Sequence, residues 1–250
     1  MIRSFGLLAV LAGFSATTAQ EAQKPTLKVI GFLVVKVEEG VPKRSQDREQ
    51  GTRVVVRVDV PGRHIISFDT KASKVDYFSD DKNTDLTATE PGPKSLVKID
   101  RTGLQVAKPN DLTFHAPLCP TAGATKVRIK GSVVAIVGKT EKETEKKDFT
   151  GNADLGFGTI AELKGTFGGT FLGTYVGDKP LKSISATDAD GKPVTCTITQ
   201  AVVFGGAKKP AYRYSIRADR GVPRNTLRVK YFEGTEEVTV PVDLEVGPGF

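Results

Sequence analysis

Tryptophan is absent from this 250-residue chain, methionine occurs only at position 1, and histidine and cysteine number two each. Each scarcity narrows the chemistry. A closed zinc site takes four ligands and a catalytic one three, so His64, His115, Cys119 and Cys196 could furnish at most one site. Without tryptophan, and with only five tyrosines, the aromatic platforms that usually floor a sugar subsite are in short supply. There is no G-x-S-x-G elbow, and neither cysteine sits among residues that would activate a thiolate. A Ser-His-Asp triad has no fixed order in a chain, and here no motif supports one. Long windows of Ala, Leu, Glu and Lys are missing as well, which disfavours helices. The apolar run Phe5–Phe14 is too short to cross a bilayer as a helix.

Charge of one sign is also lacking in any single place. The formal charge is +7, from 36 basic and 29 acidic residues. The bases are scattered, however, and usually alternate with acids or apolar residues. The densest cluster, Lys139–Asp148 (KTEKETEKKD), has four lysines against four acids. A reader of nucleic acid needs a one-signed patch interleaved with aromatics, so nucleic acid is not among the expected partners. A mixed, solvated surface remains, with weak attraction to anionic envelope polymers left open.

What is present begins with an export signal. Arg3 precedes the apolar run, and Thr17-Thr18-Ala19 supplies the small residues of a cut after Ala19. Residues 1–19 are therefore expected to be a cleaved signal peptide, with 20–26 a polar leader. No lipobox cysteine follows. The mature chain is expected to be exported, periplasmic or extracellular, without a transmembrane span.

Beyond the leader, Val and Thr are abundant, and 26 glycines and 14 prolines punctuate short alternating segments. Such a mix favours strands joined by tight turns. Strands are expected at 27–37, 52–60, 63–68, 73–78, 95–100, 112–115 and 124–137. More follow at 181–186, 194–203, 211–218, 226–232 and 237–246. In Thr52–Val60, Val54, Val56, Val58 and Val60 fall on one face, the mark of a half-buried strand. Pro61-Gly62 ends it with turn chemistry. Residues 41–51 and 139–148 read as charged loops. Gly165, Gly168, Gly169, Gly173 and Gly177 read as bulges or tight crossings, because Phe, Thr and Tyr sit between them.

Two segments have echoes. Val75–Leu86 (VDYFSDDKNTDL) is matched by Ile184–Val194 (ISATDADGKPV), and Thr125–Lys130 (TKVRIK) by Thr226–Lys230 (TLRVK). The order is the same in both copies, which points to a tandem pair with a boundary near residues 150–156. Together with the leader and the closing Val238–Gly247 (VTVPVDLEVG), this pattern resembles bacterial exported proteins that carry tandem immunoglobulin-like sandwiches. The resemblance implies an all-β fold of two antiparallel immunoglobulin-like or fibronectin-like β-sandwiches, residues 27–150 and 151–250. It transfers no catalytic residue.

Few residues are left as site candidates. Asp188-Ala189-Asp190-Gly191 starts like a calcium loop, but an EF-hand's fifth and twelfth positions fall on Lys192 and Thr199. Asp80, Asp81 and Asp85 offer further oxygens. Hairpin turns explain all five acids more simply, because Asp-Gly and Asp-Asn favour left-handed turn geometry. Cys119 and Cys196 form the one disulfide pair available, and two buried thiols are an equal reading. Tyr212, Tyr214, Tyr231 and Phe232 could make an aromatic face, although a core edge is commoner at that spacing. Terminal Phe250 with Val240, Val242, Leu244 and Val246 is similar to the last strand of an outer-membrane barrel, a pattern that Pro241 and Pro248 disturb. The expected function is a non-enzymatic interaction or structural module whose partner is another envelope or extracellular protein or polymer. No cofactor is expected. The alternatives are a carbohydrate- or calcium-binding module, a secreted hydrolase with an unrecognised site, and a small outer-membrane barrel.

Overall fold

The computed structural model describes residues 24–36, 50–87, 110–162, 171–188, 190–206, 209–219 and 225–247. They form strands and no helix. In chain order these are β1 (Thr26–Val35), β2 (Gly51–Asp59), β3 (Ile65–Asp80), β4 (Asp111–Ala116), β5 (Val127–Gly138), β6 (Glu141–Phe149), β7 (Ala153–Asp154) and β8 (Gly158–Glu162). There follow β9 (Phe171–Gly177), β10 (Leu181–Thr187), β11 (Pro193–Val194), β12 (Cys196–Gly206), β13 (Lys209–Ala218), β14 (Asn225–Phe232) and β15 (Thr235–Val246). All pairings are antiparallel, in four open sheets ordered β1-β2-β4, β15-β5-β3, β11-β10-β14-β6 and β12-β13-β9-β8-β7. None of the four closes into a barrel. The leader 1–19, most of the loop 41–51, the strand 95–100, three of the glycines (165, 168, 169), Pro248 and Phe250 lie outside the described residues.

The first two sheets share one core. On β2, Val54, Val56 and Val58 are fully buried and Val60 nearly so, whereas Arg53, Val55 and Arg57 face outward, the period-2 split expected of a half-buried strand. Phe114 and Leu112 from β4, Phe78 and Ile65 from β3, Ile129 and Val137 from β5, and Val240 and Val242 from β15 complete it. Burying each such side chain stabilises by about 1.5–3 kcal/mol. The strands expected at 63–68 and 73–78 are one, because β3 continues along β5 through a jog between Asp69 and Lys74. Asp69 holds the jog: its Oδ1 accepts the N–H groups of Lys71 and Ala72, while Ser73 Oγ donates to its carbonyl.

The other two sheets enclose a second core of Phe149, Ile160, Tyr175, Ile184, Tyr212, Tyr214, Ile216, Leu227, Val229 and Phe232. Glycines make room for its largest ring. A Cβ on Gly158 would lie 2.6 Å from the Tyr175 ring, and one on Gly177 would lie 2.1 Å from its hydroxyl. The segment read as a charged loop, Lys139–Asp148, is mostly strand: β6 runs from Glu141 and pairs with β14. Both of its faces are polar because it is an edge strand. Cross-strand ion pairs (Arg228–Glu145 at 3.0 Å, Lys230–Glu143 at 3.6 Å) line it, and charge along an edge discourages further pairing.

The strand pairings run across the expected boundary. β15, from the segment 151–250, pairs with β5 and contributes Val240, Val242 and Val246 to the first core. β6, from the segment 27–150, pairs with β14 beside the second core. The two ladders form one ribbon. Thr235 faces Gly138 and Phe232 faces Glu141, so the register carries straight through the junction. Between them, Lys139 N–H donates to Gly234 O (2.9 Å) and Glu233 N–H to Thr140 O (2.8 Å).

Candidate functional site

The acidic turns repeat one geometry. Asp80 Oδ1 accepts the N–H groups of Lys82 (3.0 Å) and Thr84 (2.9 Å). Asp188 Oδ1 accepts those of Asp190 (3.0 Å) and Lys192 (2.8 Å). In each turn the residue three positions on, Asn83 or Gly191, has a positive φ. Six positions on, Leu86 or Val194 is buried. Asx-type turns of this kind use the carboxylate to replace a missing backbone acceptor.

Asp80 is completely buried, and its Oδ2 accepts the Thr121 N–H (2.8 Å). Burial pushes its pKa upward, but the hydrogen bonds from Thr121, Thr84 and Lys82 outweigh that and hold it at about 2. Asp81 accepts Thr125 N–H and Oγ–H, and Asp85 accepts Thr87 N–H and Oγ–H. Backbone and hydroxyl donors thus point at these carboxylates, as turn closure requires. Calcium would instead have several carboxylates converge on one point. Among the described residues, no three His, Cys, Asp or Glu side chains gather in that way.

The histidines and cysteines are dispersed. His64 stacks on Phe232 at the junction of the two cores, with ring centroids 5.3 Å apart. Burial and nearby Lys182 lower its pKa, while Glu141 opposes them. His115 lies on β4, paired with Arg53. Both thiols are free: Cys119 Sγ–H donates to Val35 O (3.3 Å) beside the first core, and Cys196 packs against the second. Desolvation raises the Cys196 pKa, which opposes thiolate reactivity. Tyr212, Tyr214 and Phe232 are buried in the second core, and Tyr231 stacks on Phe157 at 4.1 Å. The aromatic grouping is therefore a core edge. A cavity of about 10 Å³ lined by Phe149, Ile160, Ile184, Cys196, Ile216 and Leu227 is apolar throughout, so it offers water no partners.

Two features escape a residue-by-residue reading. One is the junction, where Gly138 lets the Phe232 ring cross the ribbon: a Cβ there would lie 2.3 Å from the ring. The other is the outer edge of β1. Among the described residues β1 pairs with β2 alone, and Ile30, Leu33 and Val34 are 37–44% exposed on it. Its sequence signal is a ten-residue run, TLKVIGFLVV, in which Lys28 is the single charge. Among the described residues no helix is long and apolar enough to cross a membrane. In comparisons with known proteins, no family model, curated protein or solved structure matches the chain.

Proposed function

We propose that the chain is an exported, non-enzymatic interaction module of two immunoglobulin-like sandwiches, which takes up an extended segment of another envelope or extracellular protein along β1. The contrast between β1, with its exposed apolar side chains, and five blunted edges (β15, β6, β7, β11 and β3) carries this reading, while β4 and the uncharged, eleven-residue β12 are edges as well. β15 has Pro241 in mid-strand and acids at Glu237, Asp243 and Glu245, and β6 is charged along most of its length. β7 and β11 are two residues long, and β3 is broken by three register shifts. Each is a recognised way to blunt an edge. β1 has ten residues, one charge and exposed apolar side chains. Such an edge supplies a row of main-chain donors and acceptors for an added strand, and alternate side chains supply specificity. Export rests on the signal-like residues 1–19.

The test is a titration of the purified chain with extended apolar ten-residue peptides, followed by amide hydrogen exchange. New protection confined to β1, and lost in Leu33→Lys/Val34→Lys, is expected. Protection elsewhere, or none with any peptide, counts against the reading. A reporter active only outside the cytoplasm, fused behind residue 24, tests the leader separately.

A further inference from the structure

We propose that the two units are repeats of one strand plan that have exchanged their closing strands, β6 and β15, within the same chain. Three ladders of each unit correspond, whereas β12–β13 and β7–β8 have no counterpart among the described residues of the first unit. β1 pairs with β2 as β8 pairs with β9, and β2 with β4 as β9 with β13. β3 pairs with β5 as β10 pairs with β14. The acidic turns match residue by residue, Asp80 with Asp188, Asn83 with Gly191 and Leu86 with Val194. The bridge Ser79–Asp85 likewise matches the pair Thr187–Pro193. Only the last pairing departs from chain order: β5 takes β15, and β14 takes β6.

Along the chain, β6 follows β5 and β15 follows β14. Closed locally, each pair would be a hairpin turning at Lys139-Thr140 or Glu233-Gly234, and two residues is the favoured hairpin loop length. Instead both turns are opened and lie side by side, joined by the Lys139–Gly234 and Glu233–Thr140 backbone bonds. The register runs unbroken through the junction, from Val246–Val127 to Leu227–Lys146. Two unrelated linkers to an inserted domain have no reason to keep register. Two opened hairpins of equal loop length keep it automatically.

The side chains explain the direction of the exchange. In a closed β5–β6 hairpin, Glu141 would stand opposite Gly138, the place Thr235 now holds. Lys146 would then occupy the position of Val240 and Asp148 that of Val242, which are 0% and 4% exposed. Two charges would enter the first core without partners, a costly burial. β15 brings valines to those places, and β6 is left where an edge benefits from charge.

Two experiments on the full chain test the exchange. A protease site placed between Phe149 and Ala153 cuts the connection between β6 and β7. With exchanged strands, each half holds the other's closing strand, so the nicked protein should elute as one species and separate only in denaturant. Two folded halves parting in native buffer would overturn the proposal. The second experiment distinguishes exchanged repeats from a plain insertion. Lys146→Val/Asp148→Val removes the charges that bar β6 from the first core. With Cys119 and Cys196 replaced by Ser, the pair Ser132→Cys/Lys147→Cys then reports β6 lying beside β5. A disulfide yield several-fold higher with the two valines than without them is expected. Equal yields in the two backgrounds would rule out repeats able to trade closing strands.

Discussion

Asp80 and Asp188 close their turns with the same pair of backbone hydrogen bonds, yet they sit in different surroundings. Asp80 is wholly buried and reaches a third donor, Thr121, on a loop 41 residues away. Asp188 is partly exposed, and the bonds described above stay inside its own turn. The strands flanking the junction differ in the same sense. β15 fills the first core with valines, and β6 lines an edge with charge. One strand plan and one turn thus carry different energetic weight in the two units, set by what covers them.

The largest expected effect breaks the comparison of β15 with β6. Val240→Asp puts a carboxylate into the first core and should cost about 4 kcal/mol. Lys146→Asp, on the exposed β6, should stay within about 0.5 kcal/mol. Urea unfolding of the full chain checks both, and equal costs would mean that the closing strands are not unequal. Next comes the junction itself. Gly138→Val drives a side chain into the Phe232 ring and should cost about 3 kcal/mol. Gly234→Val, whose nearest neighbour would be Lys139 at 4.0 Å, should cost less than about 1 kcal/mol. A reversal of that order would mean that the ring does not cross the ribbon at Gly138.

The turns sharpen the comparison further. Asp80→Ala strands three backbone donors in a buried place and should cost about 2 kcal/mol, against about 1 kcal/mol for Asp188→Ala. The pH dependence carries a sign. The Asp80 pKa falls from an ordinary 3.8 to about 2 on folding, so its contribution is complete above 3.8 and is lost as pH drops through 2. Acid unfolding of Asp80→Ala should therefore start from a lower stability and show a shallower slope in that window.

Much of this contrast was legible in the residues. The alternation of Val54, Val56 and Val58 found β2, and the paired echoes found both acidic turns. Both copies also carry a register shift ahead of the turn, between Val75 and Tyr77 in β3 and between Leu181 and Ser183 in β10, which a residue-by-residue alignment does not reveal. β6 was not legible as a strand. Period-2 reading needs one apolar face, and Glu141–Asp148 has none, since its place in the sheet is secured by β14 and by ion pairs. Nor could local pattern assign a partner to β15. An apolar strand behind a Glu-Gly turn reads as the end of its own unit, and pairing between positions about a hundred residues apart leaves no trace in a short sequence window. The residues of β1 read as a strand, but its open edge follows from pairing with β2 alone among the described residues, which no local pattern encodes.

The smallest effect belongs to His64, at the place where the two units meet. Its ring lies on Phe232, and burial together with Lys182 lowers its pKa below the ordinary 6.5, against the pull of Glu141. Lys182 and Glu141 are themselves hydrogen-bonded. A histidine held neutral by folding supports the fold fully above its unfolded value, and that support is lost as pH falls through its lower folded value. Stability should therefore decline as pH falls below the ordinary histidine value of 6.5, well above the window of Asp80. His64→Phe keeps a ring on Phe232 and removes the proton, so its unfolding midpoint should stay flat across this range. Lys182→Gln should make the decline shallower, because the cation that disfavours the charged imidazole is gone. If both variants decline as steeply as the parent, the near-neutral pH response arises elsewhere, and the junction is held by packing and register alone.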